Sequence, residues 1–252
     1  MTDTLAQAHR LRRFGQLLRH PRHMARLRQM RRSESATGYS LQQFEASKSI
    51  FVHIPKASGV SVAKALYGNM AGGHMAMREY ELAFGPLFLR QAFVFTFVRN
   101  PWDRLHSAYR FLAKGGMNRA DAQWAAVHAP YLHSFEGFVT DGLQVPTIAE
   151  SIHVVPQARF LYSPVYGYDA IDFIGRLESL EEDFETVCAA IGATDAPLSH
   201  ENRTVGEKKD YRVSYTDEMR AVVGAFYRTD IELLGYDFDG AVQRVRPAVS
   251  QA

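Results

Sequence analysis

From Lys48 onward, apolar positions alternate between short continuous runs and stripes at helical spacing, which predicts strands and helices in succession. Residues 49 to 54 form the first run, rich in β-branched and aromatic residues. Gly59 to Met70 follows as a helix, with Val62, Ala65, Leu66 and Met70 on one stripe. Residues 93 to 98, Phe-Val-Phe-Thr-Phe-Val, are the apolar run expected of a parallel strand buried on both faces, and a helix from Trp102 to Leu112 follows it. A third strand is predicted over residues 171 to 177. Ser179 and Glu182 have capping-box spacing for a helix ending near Gly192, and Thr216 opens a last long helix that Gly235 stops. Strands alternating with helices predict an α/β fold with a central parallel sheet flanked by helices.

Composition changes the picture mainly at the N-terminal side. Residues 1 to 32 hold nine arginines against the single acid Asp3, although the net charge of the 252 residues is only +2. Leu11, Phe14, Leu17 and Leu18 recur at helical spacing until Pro21, which predicts an amphipathic helix followed by a second short one. Ser33 to Ser47 reads as a linker. The expected division is therefore a basic, partly helical or flexible arm and linker over 1–47 and one domain over 48–252. Such an arm suits an anionic membrane surface, an acidic polymer, a partner subunit or plain solvent. No apolar run reaches the length of a membrane span, so the expected location is cytoplasmic, at most peripheral to the inner face of the membrane. Cys188 is the only cysteine, which excludes an internal disulfide and multi-cysteine metal sites, and its apolar neighbours predict core burial.

Two strand-to-helix turns carry the candidate chemistry. The first is Ile54-Pro55-Lys56-Ala57-Ser58-Gly59-Val60-Ser61, the second Val98-Arg99-Asn100-Pro101-Trp102-Asp103-Arg104-Leu105-His106-Ser107. Small residues at a helix N-terminus let backbone N–H groups approach an anion, and a fixed lysine or arginine adds full charge. The first turn is not a Walker A loop, because its lysine precedes the glycine. In the second, Pro101 suits the first helical turn, and arginine plus hydroxyl makes a monoester clamp of Arg99 and Ser107. Asp103 and Arg104 read as helix-start and ion-pair residues.

These residues resemble the 5′-phosphosulfate loop and the 3′-phosphate motif of sulfotransferases that use 3′-phosphoadenosine 5′-phosphosulfate (PAPS), the carbohydrate branch above all. The resemblance extends through Gly175 to Phe184 and Asn202-Arg203-Thr204 to Leu234-Gly235-Tyr236-Asp237-Phe238. It implies a three-layer, P-loop-kinase-like fold and a cofactor-binding set of Lys56, Ser58, Gly59, Val60, Ser61, Arg99, Ser107 and Arg203, with Lys208 a further contact. Ala57 and Val60 stand where the family usually has threonine, so backbone amides and the two serines must do more. The single cysteine and missing anchor resemble a soluble, bacterial-type form.

Sulfuryl transfer rests on in-line positioning and charge stabilisation, so Lys56 is the expected electrophilic helper and no metal is expected. An acceptor hydroxyl needs a base, for which His74 is the first candidate, with Glu79 a further one. His153 is expected at the acceptor and is the second choice as base. His53 and His106 read as packed residues, and Tyr162, Tyr166 and Tyr168 as a sugar lining or as loop packing. The acceptor class implied is a carbohydrate or glycolipid, not nucleic acid. A P-loop nucleoside or sugar kinase and a non-catalytic binder of anionic polymers stay open as alternatives.

Overall fold

The computed structural model describes residues 21–35, 38–194, 196–198 and 210–241. Its main elements in chain order are helices α1 (Pro21–Arg32) and α2 (Gln42–Ser47), strand β1 (Ser49–Val52), helices α3 (Gly59–Tyr67) and α4 (Met77–Phe84), strand β2 (Phe93–Val98), helices α5 (Pro101–Ala113) and α6 (Arg119–Val127), strand β3 (Phe173–Arg176), and helices α7 (Leu180–Ile191), α8 (Asp217–Phe226) and α9 (Arg228–Leu234). The described residues form two compact units, 21–98 with 159–198 and 99–158 with 210–241. No described helix is long and apolar enough to cross a membrane.

The first unit carries the sheet. Its order is β1-β2-β3 and both pairings are parallel, with Val52 opposite Thr96 and Val98 opposite Arg176. β1 is buried throughout and β2 from its second residue, as their apolar runs require. Phe51 stacks on Phe95 at 5.1 Å between ring centroids, and the one hydroxyl in β2, Thr96, is satisfied by donating to Val52 O at 2.7 Å. Gly175 must be glycine, since a Cβ there would lie 2.6 Å from the Phe97 ring. The mixed α/β class with a parallel sheet flanked by helices is therefore the class the sequence predicts.

Several local expectations are corrected. α3 ends at Tyr67 because Gly68 takes a left-handed cap, and its buried residues are Gly59, Ser61, Val62, Ala63 and Tyr67, not the stripe through Ala65, Leu66 and Met70. The segment read as a linker contains α2, whose Phe44 is buried, its ring 4.8 Å from Tyr67. Ser179 precedes α7 as expected, but no capping box forms: its hydroxyl donates to Asp183, which also accepts the Arg176 N–H at 2.8 Å. Cys188 is buried, as its neighbours predict.

The second unit is helical. Trp102, Leu105 and Leu112 of α5 pack with Phe138, Ile148, Val154, Met219, Val223, Tyr227 and Phe238 in one core. α5 starts at Pro101, where the missing N–H costs nothing, and Asn100 Oδ1 accepts the Trp102 N–H. The last long helix is instead two, α8 and α9, broken at Tyr227. That tyrosine is fully buried and its hydroxyl donates to Val154 O, an attachment that the continuous apolar pattern did not reveal. Thr216 and Gly235 cap the pair's outer ends as expected.

Candidate active site

In the first unit, β1 hands the chain to a tight turn. Lys56 (φ 70°) and Ser58 (φ 60°) both take the left-handed conformation, which costs a side-chain-bearing residue about 1 to 3 kcal/mol and clusters where backbone geometry is functional. Ser58 is the N-cap of α3 without a side-chain cap bond, and the first bond of the helix runs from Val62 N–H to Ser58 O at 3.3 Å. The amides of Gly59, Val60 and Ser61 precede that bond at the positive end of the helix dipole. A lysine, two serines and three leading amides are a donor set that fits a phosphosulfate group.

The turn is seated on histidine. His53 is 2% exposed, its ring stacks on Phe51 at 5.6 Å and 8°, and the His74 ring meets its edge at 4.4 Å. A Cβ on Gly59 would overlap Cδ2 and Nε2 of His53 and lie 2.5 Å from Cγ, so the histidine ring requires glycine at this point of the turn. Burial, and next the neighbouring His74, hold the His53 pKa well below the usual histidine value, so its ring stays neutral. This is the packed histidine that strand alternation predicts. His74 is half-buried, with Nδ1 3.4 Å from His53 O. It reaches there because Gly72 and Gly73 lie against Tyr80 and Tyr39: a Cβ on Gly72 would overlap the Tyr80 hydroxyl, and one on Gly73 would sit 2.5 Å from the Tyr39 ring. The first unit thus brings His74 to the end of β1 that carries the Lys56 turn.

In the second unit, Arg99 opens the turn into α5. Its Nε and Nη2 donate to both oxygens of Asp103, at 2.8 and 2.7 Å, a bidentate pair that holds the guanidinium plane. Asp103 and Ser107 are one helical turn apart on α5, so Ser107 shares the face whose lower end holds Arg99. The Arg99 backbone is clamped by Gln157, which accepts its N–H at 3.0 Å and donates to its C=O at 2.8 Å. Asp230 in turn accepts the N–H groups of Gln157 and Ala158 at 2.7 and 2.8 Å. Burial raises the Asp230 pKa, against the backbone bonds and Arg104, which lower it. Arg104 is fully buried and donates to Val155 O at 3.0 Å. Gln157, Asp230 and the buried role of Arg104 escaped the sequence reading, because partners 58 and 73 residues away leave no local signal.

The remaining candidates divide. His153 Nε2 lies 3.8 Å from Asp121 Oδ1 and its ring 4.8 Å from Phe111, all in the second unit. His106 packs edge-on to Phe135, and burial lowers its pKa, as suits a packed residue. Glu79 Oε2 accepts the Ala76 N–H at 2.9 Å and so caps its own helix, which gives it a structural role. Tyr166 donates to Pro86 O, while Tyr162 and Tyr168 are exposed and meet edge-on at 5.4 Å. Arg203 and Lys208 lie outside the described residues.

The fold is that of an α/β protein with a parallel sheet, and the Lys56 turn lies between its first strand and the helix that follows. The chain belongs to the sulfotransferase family, whose model matches residues 76–237. Arg99, Ser107 and His153 fall inside the match, and the Lys56 turn and His74 precede it. No curated protein and no solved structure matches the chain. Membership implies transfer of a sulfuryl group to a hydroxyl-bearing acceptor, and the carbohydrate branch is consistent with it.

Proposed function

We propose that the chain transfers the sulfuryl group of PAPS to a hydroxyl of a carbohydrate or glycolipid. When bound, PAPS supplies a sulfuryl group on a phosphate leaving group. Lys56 with Ser58, Ser61 and the amides of Gly59, Val60 and Ser61 takes the 5′-phosphosulfate. Arg99 and Ser107 take the 3′-phosphate, with Arg203 a further contact. The Lys56 ammonium stabilises charge growing on the leaving oxygen, a contribution made mainly in the transition state. His74 accepts the proton of the acceptor hydroxyl. His153, whose Nε2 lies 3.8 Å from Asp121 Oδ1, contacts the acceptor. On this reading residues 48–252 form the transferase domain and act in the cytoplasm.

The observation that supports the proposal is the left-handed pair Lys56 and Ser58 at the start of α3, a strained turn of the kind that clusters at functional sites. A P-loop kinase would instead need a lysine after the second glycine of its loop. Thermal shifts with adenosine 3′,5′-bisphosphate and with ATP test the donor. The bisphosphate at about a hundred times its dissociation constant adds about 2.7 kcal/mol, and ATP adds little. Equal stabilisation by ATP overturns the reading. Transfer of labelled sulfate to a panel of glycans and glycolipids then identifies the acceptor.

A further inference from the structure

Helix α1 lies outside the family match and has two chemically opposed faces. At about 100° per residue, His23, Met24, Leu27, Met30 and Arg31 share one side. That side is spent on the fold: Leu27 is buried, His23 Nε2 lies 3.6 Å from Glu79, and Arg31 donates to Ala83 O at 2.7 Å, pairs with Glu45 and covers the Phe84 ring. The other side, an arc of about 160°, carries Arg22, Arg26, Arg28 and Arg32 with Ala25 and Gln29 between them. All four arginines are exposed, and none makes an ion pair with a described residue. The helix contains no acid, and between Asp3 and Glu34 the sequence has none either.

A cationic face with no neutralising partner makes the local potential positive and concentrates anions near it. We propose that the outer face of α1 docks the enzyme on an anionic lipid surface. Charge complementarity favours lipid, and so does the adjoining sequence, where Leu11, Phe14, Leu17 and Leu18 are interspersed with Arg10, Arg12, Arg13 and Arg19. A membrane interface accepts both apolar and cationic side chains, whereas an acidic polymer offers the apolar set nothing. With its own apolar side buried in the protein, α1 contributes charge alone, which attracts headgroups without insertion. The docking is independent of the sulfuryl donor, and it suits an acceptor that is itself a lipid.

The test is co-sedimentation of the full chain with phosphatidylcholine vesicles, with and without about 30 mol% phosphatidylserine. The wild type should bind the anionic vesicles and not the neutral ones, and lose binding as salt rises from about 0.1 to 0.5 M. At about fivefold per arginine near the surface, replacing Arg22, Arg26, Arg28 and Arg32 by Gln should lower partitioning by more than about a hundredfold. The melting temperature and the response to adenosine 3′,5′-bisphosphate should not move. Arg31→Gln, on the inner side, should lower the melting temperature and keep most of the vesicle binding. Equal binding to neutral vesicles, wild-type binding by the fourfold variant, or displacement from anionic vesicles by heparin at matched charge would each overturn the proposal, the last in favour of a polymer.

Discussion

Gly59→Ala probes the seat of the Lys56 turn with the smallest side chain available. The added methyl would overlap two atoms of the His53 ring and sit 2.5 Å from a third, where carbon atoms ordinarily keep about 3.5 to 4 Å. The ring cannot withdraw, because Phe51 covers one side, His74 meets its edge and only 2% of the residue reaches solvent. Either the ring displaces its neighbours or the start of α3 lifts away, carrying Ser58 and Ser61. Overpacking of this kind costs about 1 to 3 kcal/mol. For a chain of this size, 2 kcal/mol lowers the melting temperature by about 4 to 8 °C. Calorimetry measures that loss, and titration with adenosine 3′,5′-bisphosphate should show weaker binding beside it. The double variant His53→Ala with Gly59→Ala makes room for the methyl, so the cycle should show a coupling of at least about 1 kcal/mol. A single variant that melts within a degree of wild type, or a cycle without coupling, refutes the packing argument.

His53 also predicts a pH dependence. Its folded pKa lies well below 6.5, so the unfolded chain binds the proton first: stability is highest above about pH 6.5 and falls on acidification toward the folded value, by about 1.4 kcal/mol per unit. Glu81, whose pKa burial raises, acts in the opposite sense, so the comparison is with His53→Phe, whose acid loss should be smaller by the histidine share; identical profiles refute it. Arg99→Ala removes the proposed 3′-phosphate contact and the partner of Asp103, so the variant should lose its preference for adenosine 3′,5′-bisphosphate over adenosine 5′-monophosphate. Arg99→Lys should restore little, since lysine cannot reproduce the bidentate pair, and full discrimination in either variant counts against the assignment. Lys56→Ala and His74→Ala should each lower kcat by about 10² or more with bisphosphate binding retained, while His153→Ala should raise the acceptor KM and recover at high acceptor concentration. If His153→Ala is inactive at saturation and His74→Ala keeps a tenth of the rate, the two roles are exchanged.

What the sequence made legible is what local rules control. β2 runs over the predicted residues because a six-residue apolar block has no competing period, and α5 begins beside Pro101 because proline marks a first turn. His53 was readable as a packed residue, and it is buried, although it lies past the end of β1 and its ring seats the turn through Gly59. The misses are of two kinds. Ser179 bonds Asp183 four residues on, and Glu79 caps α4 by accepting the Ala76 N–H three residues back, local choices among several partners that periodicity does not rank. Tyr227 is tertiary: it broke a continuous helical pattern to reach Val154, a partner that no local rule names.

The two cations are positioned by different physics, and the difference decides how each site tolerates change. The Lys56 turn holds left-handed residues whose cost is offset by apolar burial of β1, Phe51 and the neutral His53 ring. Support of that kind weakens in proportion to the contacts removed, so trimming Phe51 or His53 should degrade the turn by degrees. Arg99 instead depends on Gln157, which imitates a strand partner by bonding both its N–H and its C=O, and Gln157 is fixed by Asp230. Buried charge in such a network is stabilising only while its partners are complete. Asp230→Asn leaves one acceptor oxygen for the two amides that the carboxylate now satisfies, and takes a negative charge away from buried Arg104. The loss should therefore be abrupt, about 3 kcal/mol or more in stability, and the bisphosphate should bind more weakly even though Asp230 touches Arg99 only through Gln157.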